Sequence, residues 1–296
     1  MTIPRHEPVM VTETVEILSP SRGGLFVDCT VGLGGHSRAL LEAGASRLIG
    51  LDRDRDALAI AREALAAFTE RVELVHADYR DIDRVLAERG IDGVQGALAD
   101  LGVSSWQLDG EGRGFSFRRD EPLDMRMDRT QGHTAADLVA SLDEGPLADA
   151  IFQFGEERYS RRIARSIVAA RRTAPIETTG QLATIVRRSV PHRGYQRIDP
   201  ATRTFQALRI LVNRELDGLD RFLAAAARRL LSGARLAVIS FHSLEDRIVK
   251  HTFRALERAE AAVRVLTKRP LEPAEDEVAR NPRARSAKLR AIERLA

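Results

Sequence analysis

Four aspartates in the first hundred residues, Asp28, Asp52, Asp78 and Asp100, each stand at or beside the end of a short apolar run. The first is followed by a glycine-rich corner, Cys29-Thr30-Val31-Gly32-Leu33-Gly34-Gly35-His36. Glycines there permit positive φ and let a ligand approach the backbone. A helix starting beyond the corner adds amide donors. Asp52 lies 18 residues past Gly34, the spacing of a carboxylate that accepts two ribose hydroxyls. These residues predict a nucleoside cofactor. A dinucleotide loop calls for a third glycine at position 37, where Ser37 stands, and Asp28 beside the loop would repel a pyrophosphate. Charge therefore favours S-adenosylmethionine, with Asp28 near the cationic end of its methionine moiety, directly or through water. Asp78 and Tyr79 fall where an adenine would lie, Asp78 to accept from its exocyclic amine and Tyr79 to stack. Tyr79 serves equally well as a cover over the strand end.

Positioning these residues requires strands and helices in alternation. Strands are expected at 25–29, 47–52, 72–78 and 94–100, with helices from 37 to 43 and 54 to 67 between them. Such alternation implies a parallel sheet, whose carboxyl edge binds ligands. The alternation then stops. Residues 109–128 read as a long glycine-containing loop, and from 135 to about 227 the apolar spacing is mainly helical. Strand character returns at 234–240, followed by a helix with Ser243 and Asp246 spaced as a capping pair. The expected organisation is a sheet domain over 1–108, a mainly helical insertion for substrate recognition over 109–212, and the rest of the sheet domain with a basic C-terminal tail over 213–296.

Composition sets wider bounds. In 296 residues, 44% hydrophobic and 30% charged are the proportions of a globular protein. No apolar run approaches the roughly 18 residues of a membrane span. The polar stretch over 1–8 has no signal-peptide core behind it. The single cysteine, Cys29, cannot form an internal disulfide, which fits a cytoplasmic protein, and it excludes a thiolate-rich zinc site; no metal is expected. The 46 basic residues against 43 acidic ones leave little net charge, so clustering matters more.

Longer segments carry a resemblance. Gly34 to Ser37, Asp100 to Ser105, Gly114 to Phe117, Pro122 to Asp128, Pro200 to Ile210, Ser240 to Arg247 and Asn281 to Arg290 together resemble the ribosomal RNA small subunit methyltransferase H (MraW) family, in order along essentially the whole chain. The resemblance implies an α/β fold, a Rossmann-like class I methyltransferase sheet interrupted by a helical insertion domain. It implies methylation of the exocyclic N4 of a cytidine in 16S rRNA near the decoding site, with S-adenosylmethionine as cofactor and 16S rRNA or the small ribosomal subunit as partner. The family's cofactor contacts map onto Gly34, Gly35, His36, Asp52, Tyr79, Asp100 and Gln107. Two positions depart from the usual pattern: Tyr79 replaces a frequent phenylalanine and keeps the stacking face, and Trp106 replaces a frequent proline beside Gln107.

Methylating an aromatic amine needs an acceptor for its hydrogens. Amino-methylating DNA enzymes commonly carry an Asp-Pro-Pro-Tyr type motif at the fourth strand, where this chain has Asp100-Leu101-Gly102-Val103. Asp100, Ser104, Ser105, Asp124 and His242 are the candidates near the reacting base, and His242 reads equally as a structural histidine. For RNA, Arg158, Arg161, Arg162 and Arg165 share a helical face, which a solvated surface explains equally well, and residues 280–294 hold six cations and one acid, Glu293. The RNA candidates are Arg126, Arg158, Arg162, Arg165, Arg203, Arg283, Arg285 and Arg290. Two rivals stand beside this reading: an NAD-dependent dehydrogenase, which shares the sheet and the ribose aspartate, and a non-catalytic RNA-binding assembly factor.

Overall fold

A computed structural model describes residues 8–191, 198–259 and 262–296 and divides the chain into two compact units, Met1–Gly102 with Leu216–Ala296, and Val103–Glu215. Among the described residues, the first unit forms strands Leu25–Asp28 (β1), Arg47–Asp52 (β2), Val72–His76 (β3), Val94–Asp100 (β4), Leu230–Ser240 (β5), Val263–Val265 (β6) and Lys288–Arg294 (β7). They make one sheet in the order β3-β2-β1-β4-β5-β7-β6. β1 to β5 run parallel, and β7 runs antiparallel to both β5 and β6. The chain winds outward from β1 to β3 and restarts at β4 on the other side of β1. The crevice that binds ligands in such sheets therefore lies at the carboxyl ends of β1 and β4.

The expected strand runs fold this way because they are apolar on both faces, as parallel strands must be. Successive side chains of β1 point to opposite faces: Phe26 joins Leu48, Leu98 and Leu40, while Val27 joins Ile49, Ala97 and Phe222. Helices Val11–Leu18 (α1), Gly35–Glu42 (α2), Arg55–Ala64 (α3) and Ile82–Ala87 (α4) intervene before and between these strands. Asp54 starts α3 by accepting from the Asp56 amide at 3.0 Å. Gly50 in β2 is required: a Cβ there would lie 2.3 Å from the Val31 side chain, which the corner loop lays over the strand.

The second unit is helical, with Ser105–Asp109 (α5), Ala135–Ser141 (α6), Glu144–Gly155 (α7), Ser160–Arg171 (α8), Thr179–Ser189 (α9) and Ala201–Asn213 (α10). The long segment between α5 and α6 folds Phe115, Leu123, Met125 and Met127 into this unit's own core, against Ile151, Ile163, Leu182 and Leu208. The chain re-enters the first unit through Leu219–Arg228 (α11), followed later by Ser243–Ala259 (α12) and Glu275–Arg280 (α13).

Three details differ from the sequence expectation. β3 stops at His76 because the Asp78 carboxylate accepts from the Arg80 amide at 2.9 Å and turns the chain into a 3₁₀ turn, Tyr79–Asp81. At the start of α12, His242 and Glu245 cap beside the expected Ser243–Asp246 spacing: the Glu245 amide donates to His242 Nδ1 at 3.4 Å, and Glu245 Oε2 accepts from the Phe241 amide at 3.0 Å. The basic tail is not a tail. Its last seven cation-rich residues form β7, between β5 and β6, with Leu289, Ala291 and Ile292 fully buried. Among the described residues, no helix is long and apolar enough to cross a membrane.

Candidate functional site

The corner after β1 is set by its own buried carboxylate. Asp28 is wholly inaccessible; its Oδ2 accepts from the Ser37 hydroxyl at 2.7 Å and its Oδ1 from the Thr30 amide at 3.2 Å. Burial raises its pKa against the opposing pull of Ser37, His36 and Thr30. The expectation that Asp28 meets a ligand's cation directly is therefore corrected, since its carboxylate is wholly buried and bonded to Ser37 and Thr30. Ser37, standing where a dinucleotide loop has glycine, is the partner supplied by α2. Gly34 supplies the left-handed turn into α2, at φ 86°.

Asp52 ends β2 partly exposed. Its Oδ2 accepts from the Gly32 amide and its Oδ1 from the Asp54 amide, both at 2.8 Å. Each carboxylate oxygen has a second lone pair, so two hydroxyls of one ligand can still be accepted. Burial pushes its pKa up to about 6, against the two amides that favour its charge. Asp78 is differently placed. Burial opposes its charge, yet the Arg80 guanidinium, gripping both oxygens at 2.7 and 2.6 Å, and Arg53 at 3.6 Å hold its pKa below the ordinary value. Asp78 thus serves an ion pair rather than an adenine amine. Beside it, the Tyr79 ring lies 4.6 Å from Phe222 of α11, tilted by 56°, and burial raises its phenol pKa. One part of Tyr79 is core, as the covering role predicts.

The end of β4 is the opposite of satisfied. The Asp100 amide is 2.6 Å from Thr30 Oγ1, but the Asp100 side chain has Oδ1 buried with no hydrogen-bond partner. His36, in the first turn of α2 and 6% exposed, has neither ring nitrogen hydrogen-bonded. Its Nε2 lies 3.5 Å from Asp100 Oδ2, an ion-pair distance longer than a well-formed hydrogen bond. Burial opposes a charged imidazole, but Asp100, Asp28 and Glu277 outweigh it and raise the His36 pKa. Buried polar groups are normally paired. Two adjacent exceptions at the carboxyl edge mark where a ligand's polar groups fit. Sequence reasoning missed Thr30 and Ser37, whose roles follow from the Asp28-x-Thr30 turn and from a hydroxyl one helical turn into α2.

Other candidates divide by environment. Ser104 and Gln107 form the capping box of α5: Gln107 N–H donates to Ser104 Oγ at 3.2 Å and Ser104 N–H to Gln107 Oε1 at 3.0 Å. The side chain of Ser105 lies outside the described residues. Asp124 is buried and gripped at 2.7 and 3.0 Å by Arg126, with Arg129 at 3.5 Å, so neither it nor Arg126 is a loose reactive group. His242 Nε2 lies 3.2 Å from the buried Glu245 carboxylate, consistent with its capping role. Arg290 is buried in β7 and bound to Asp246 at 2.6 Å, which removes it as an RNA contact; Arg283 and Arg285 are exposed. In the second unit Arg162 and Arg165 are exposed on α8. The Arg158 guanidinium sits 4.7 Å over the Tyr159 ring, and with Arg203 these residues line a cavity of about 470 Å³.

A parallel sheet switching direction at β1/β4, a glycine-cornered loop, a ribose-type carboxylate on β2 and an antiparallel β7 next to β5 define a Rossmann-like class I methyltransferase domain. The chain belongs to the MraW methylase family, whose model matches residues 4–295. It is similar to proteins named ribosomal RNA small subunit methyltransferase H from Geobacter sulfurreducens (53% identical, covering 98% of this chain and 99% of the relative) and Nitrobacter hamburgensis (52%, covering 99% and 91%). The relative of the same name from Geotalea uraniireducens is 50% identical over 98% of both chains. Among solved structures, a putative rRNA methylase from Clostridium thermocellum matches at 12% identity across all of both chains with a TM-score of 0.47, too distant to inform the site.

Proposed function

We propose that this chain transfers a methyl group from S-adenosylmethionine to the exocyclic N4 of a cytidine in 16S rRNA, near the decoding site. The cofactor assignment is carried by the unpaired Asp100–His36 couple beside the corner loop; the RNA substrate is supported by full-length relatives named for it. The residues fit the cofactor by charge. Asp52 accepts its ribose hydroxyls, Gly34 turns the loop into α2 beside it, Asp100 offers an acceptor to its ammonium, and the corner's buried carboxylate disfavours a pyrophosphate. Tyr79 is a further expected contact. When bound, S-adenosylmethionine supplies an electrophilic methyl on a sulfonium.

The chain's own contribution is positioning and electrostatics. Of the groups considered for the amine's hydrogens, Asp124 and His242 are engaged elsewhere and Asp100 is taken up by the cofactor's ammonium, so none of these three is assigned to the amine. The helical unit supplies RNA recognition: Arg162, Arg165 and Arg203 meet phosphates, and the Arg158–Tyr159 face suits a base. A cytoplasmic setting follows from this substrate. The test is transfer of labelled methyl to unmodified small-subunit particles, with the product nucleotide mapped. N4-methylcytidine at one decoding-site position is expected. RNA binding without incorporation would mean an assembly factor instead, and modification elsewhere would overturn the assigned target.

A further inference from the structure

The Asp100–His36 couple raises a question about division of labour that the family resemblance leaves open. A carboxylate at a strand end has two equivalent oxygens and rotates unless something holds one of them. Here the only side chain at ion-pair distance among the described residues is His36, at 3.5 Å from Oδ2. The imidazole itself is enclosed, 6% exposed, with the carboxylates of Asp28 on β1, Asp100 on β4 and Glu277 on α13 acting on it. Glu277 is in turn fixed, accepting from the Met10 amide at 2.7 Å. Asp28 is pinned by Ser37, the residue after His36. Asp28 and Glu277 are therefore anchored, whereas Asp100 Oδ1 and the His36 ring nitrogens have no hydrogen-bond partner among the described residues.

We propose that His36 is a positioning residue: as an imidazolium it holds Asp100 Oδ2, so that Oδ1 alone faces the ligand as acceptor for the ammonium of S-adenosylmethionine. This rests on the cofactor reading above and adds the direction in which Asp100 is aimed.

The sign of the pH effect follows. The three carboxylates keep His36 protonated above the ordinary range of a histidine, and its charge is lost as pH rises through the raised value. Cofactor affinity should then fall on that alkaline limb. Three measurements test this on the full chain. Nuclear magnetic resonance titration of the ligand-free protein should give a His36 pKa above about 6.5, moved down in Asp100→Asn. Calorimetry with S-adenosylmethionine should show roughly tenfold weaker binding to His36→Gln at neutral pH, with the His36 limb gone and only the alkaline limb of the cofactor's own amine, near about 8, remaining. His36→Asn, with a shorter amide, should lose the same limb, and thermal melts of both variants should show folded protein. An unchanged alkaline limb in folded His36→Gln, or a His36 pKa indifferent to Asp100→Asn, overturns the proposal while leaving the cofactor reading intact. Failure of the wild-type chain to bind S-adenosylmethionine at all sinks the cofactor reading itself.

Discussion

The carboxyl edge of the sheet and the arginine-bearing face of α8 use charge in opposite ways. At the sheet edge, Asp28, His36, Asp52 and Asp100 lie within or partly within the protein, each placed by a strand end or a helix start. On α8, Arg162 and Arg165 project into solvent, and the Arg165 side chain, 74% exposed, makes only a long contact to Glu144 at 3.4 Å. A buried charge interacts strongly and with direction because little water screens it. An exposed one contributes mainly through counterion release and responds to salt. The first region is thus suited to one small ligand, and, on the function proposed above, the second would meet a polyanion whose exact pose varies.

The most severe way to break this contrast is at Asp100. Asp100→Ala should weaken S-adenosylmethionine binding by roughly a hundredfold or more in calorimetry, because it leaves a ligand cation without its acceptor; unchanged affinity would remove Asp100 from the site. Next comes Arg290, which shares arginine chemistry with α8 but the burial of the sheet edge. Arg290→Ala should cost about 3 kcal/mol of stability in denaturant unfolding, by leaving Asp246 poorly compensated, with no change in the salt slope of RNA binding. A reduced slope at intact stability would return it to the RNA surface.

Asp52 gives an effect of middle size with its own pH signature. Its carboxyl is pushed up to about 6, so it becomes protonated, and loses acceptor capacity, as pH falls through that value. Cofactor affinity should decline on the acid side of about 6, and Asp52→Asn should bind roughly tenfold more weakly while losing that acid limb; a limb that survives the substitution belongs to another group. The smallest effect is expected on α8. Replacing Arg162 and Arg165 together by glutamine should weaken RNA binding only a few-fold and lower the salt slope by about one to two, with cofactor affinity untouched. A loss confined to one RNA sequence would show base reading instead of phosphate contact.

Much of the sheet was readable because β1, β2 and β4 are mainly apolar runs ending in aspartate, a pattern that needs no knowledge of neighbours. β7 was not, because Lys288, Arg290 and Arg294 mark it as a basic surface segment, while the partners of its charges lie on other elements: Asp246 on α12 for Arg290, and arginines of β5 and β6 for its own Glu293. Arg290 meets Asp246, 44 residues away, and Glu293 meets Arg235 and Arg264 at 2.8 and 2.9 Å. The corner loop was readable as a cofactor site from its glycines and Asp52, yet the assignment of Asp28 and Asp78 to the ligand was not sustained. Their partners, Ser37 for the first and Arg80 with Arg53 for the second, are close in sequence, but competition between a ligand and a neighbouring side chain leaves no trace in spacing.

The sequence by itself determined the alternation that makes the sheet, the sharp turn after β1, the carboxylate at the end of β2 and membership of the methylase family, since each depends on local pattern or on motif order. Only the tertiary structure decided which carboxylates are spent. Asp28 is sealed by Ser37, Asp78 is paired by arginines, and Asp100 remains with one oxygen unclaimed beside an imidazole. The reason is physical: whether a charged group is available to a ligand depends on desolvation and on which partners reach it in space, and residues 28, 36 and 100 become one electrostatic unit only when β1, α2 and β4 are packed side by side.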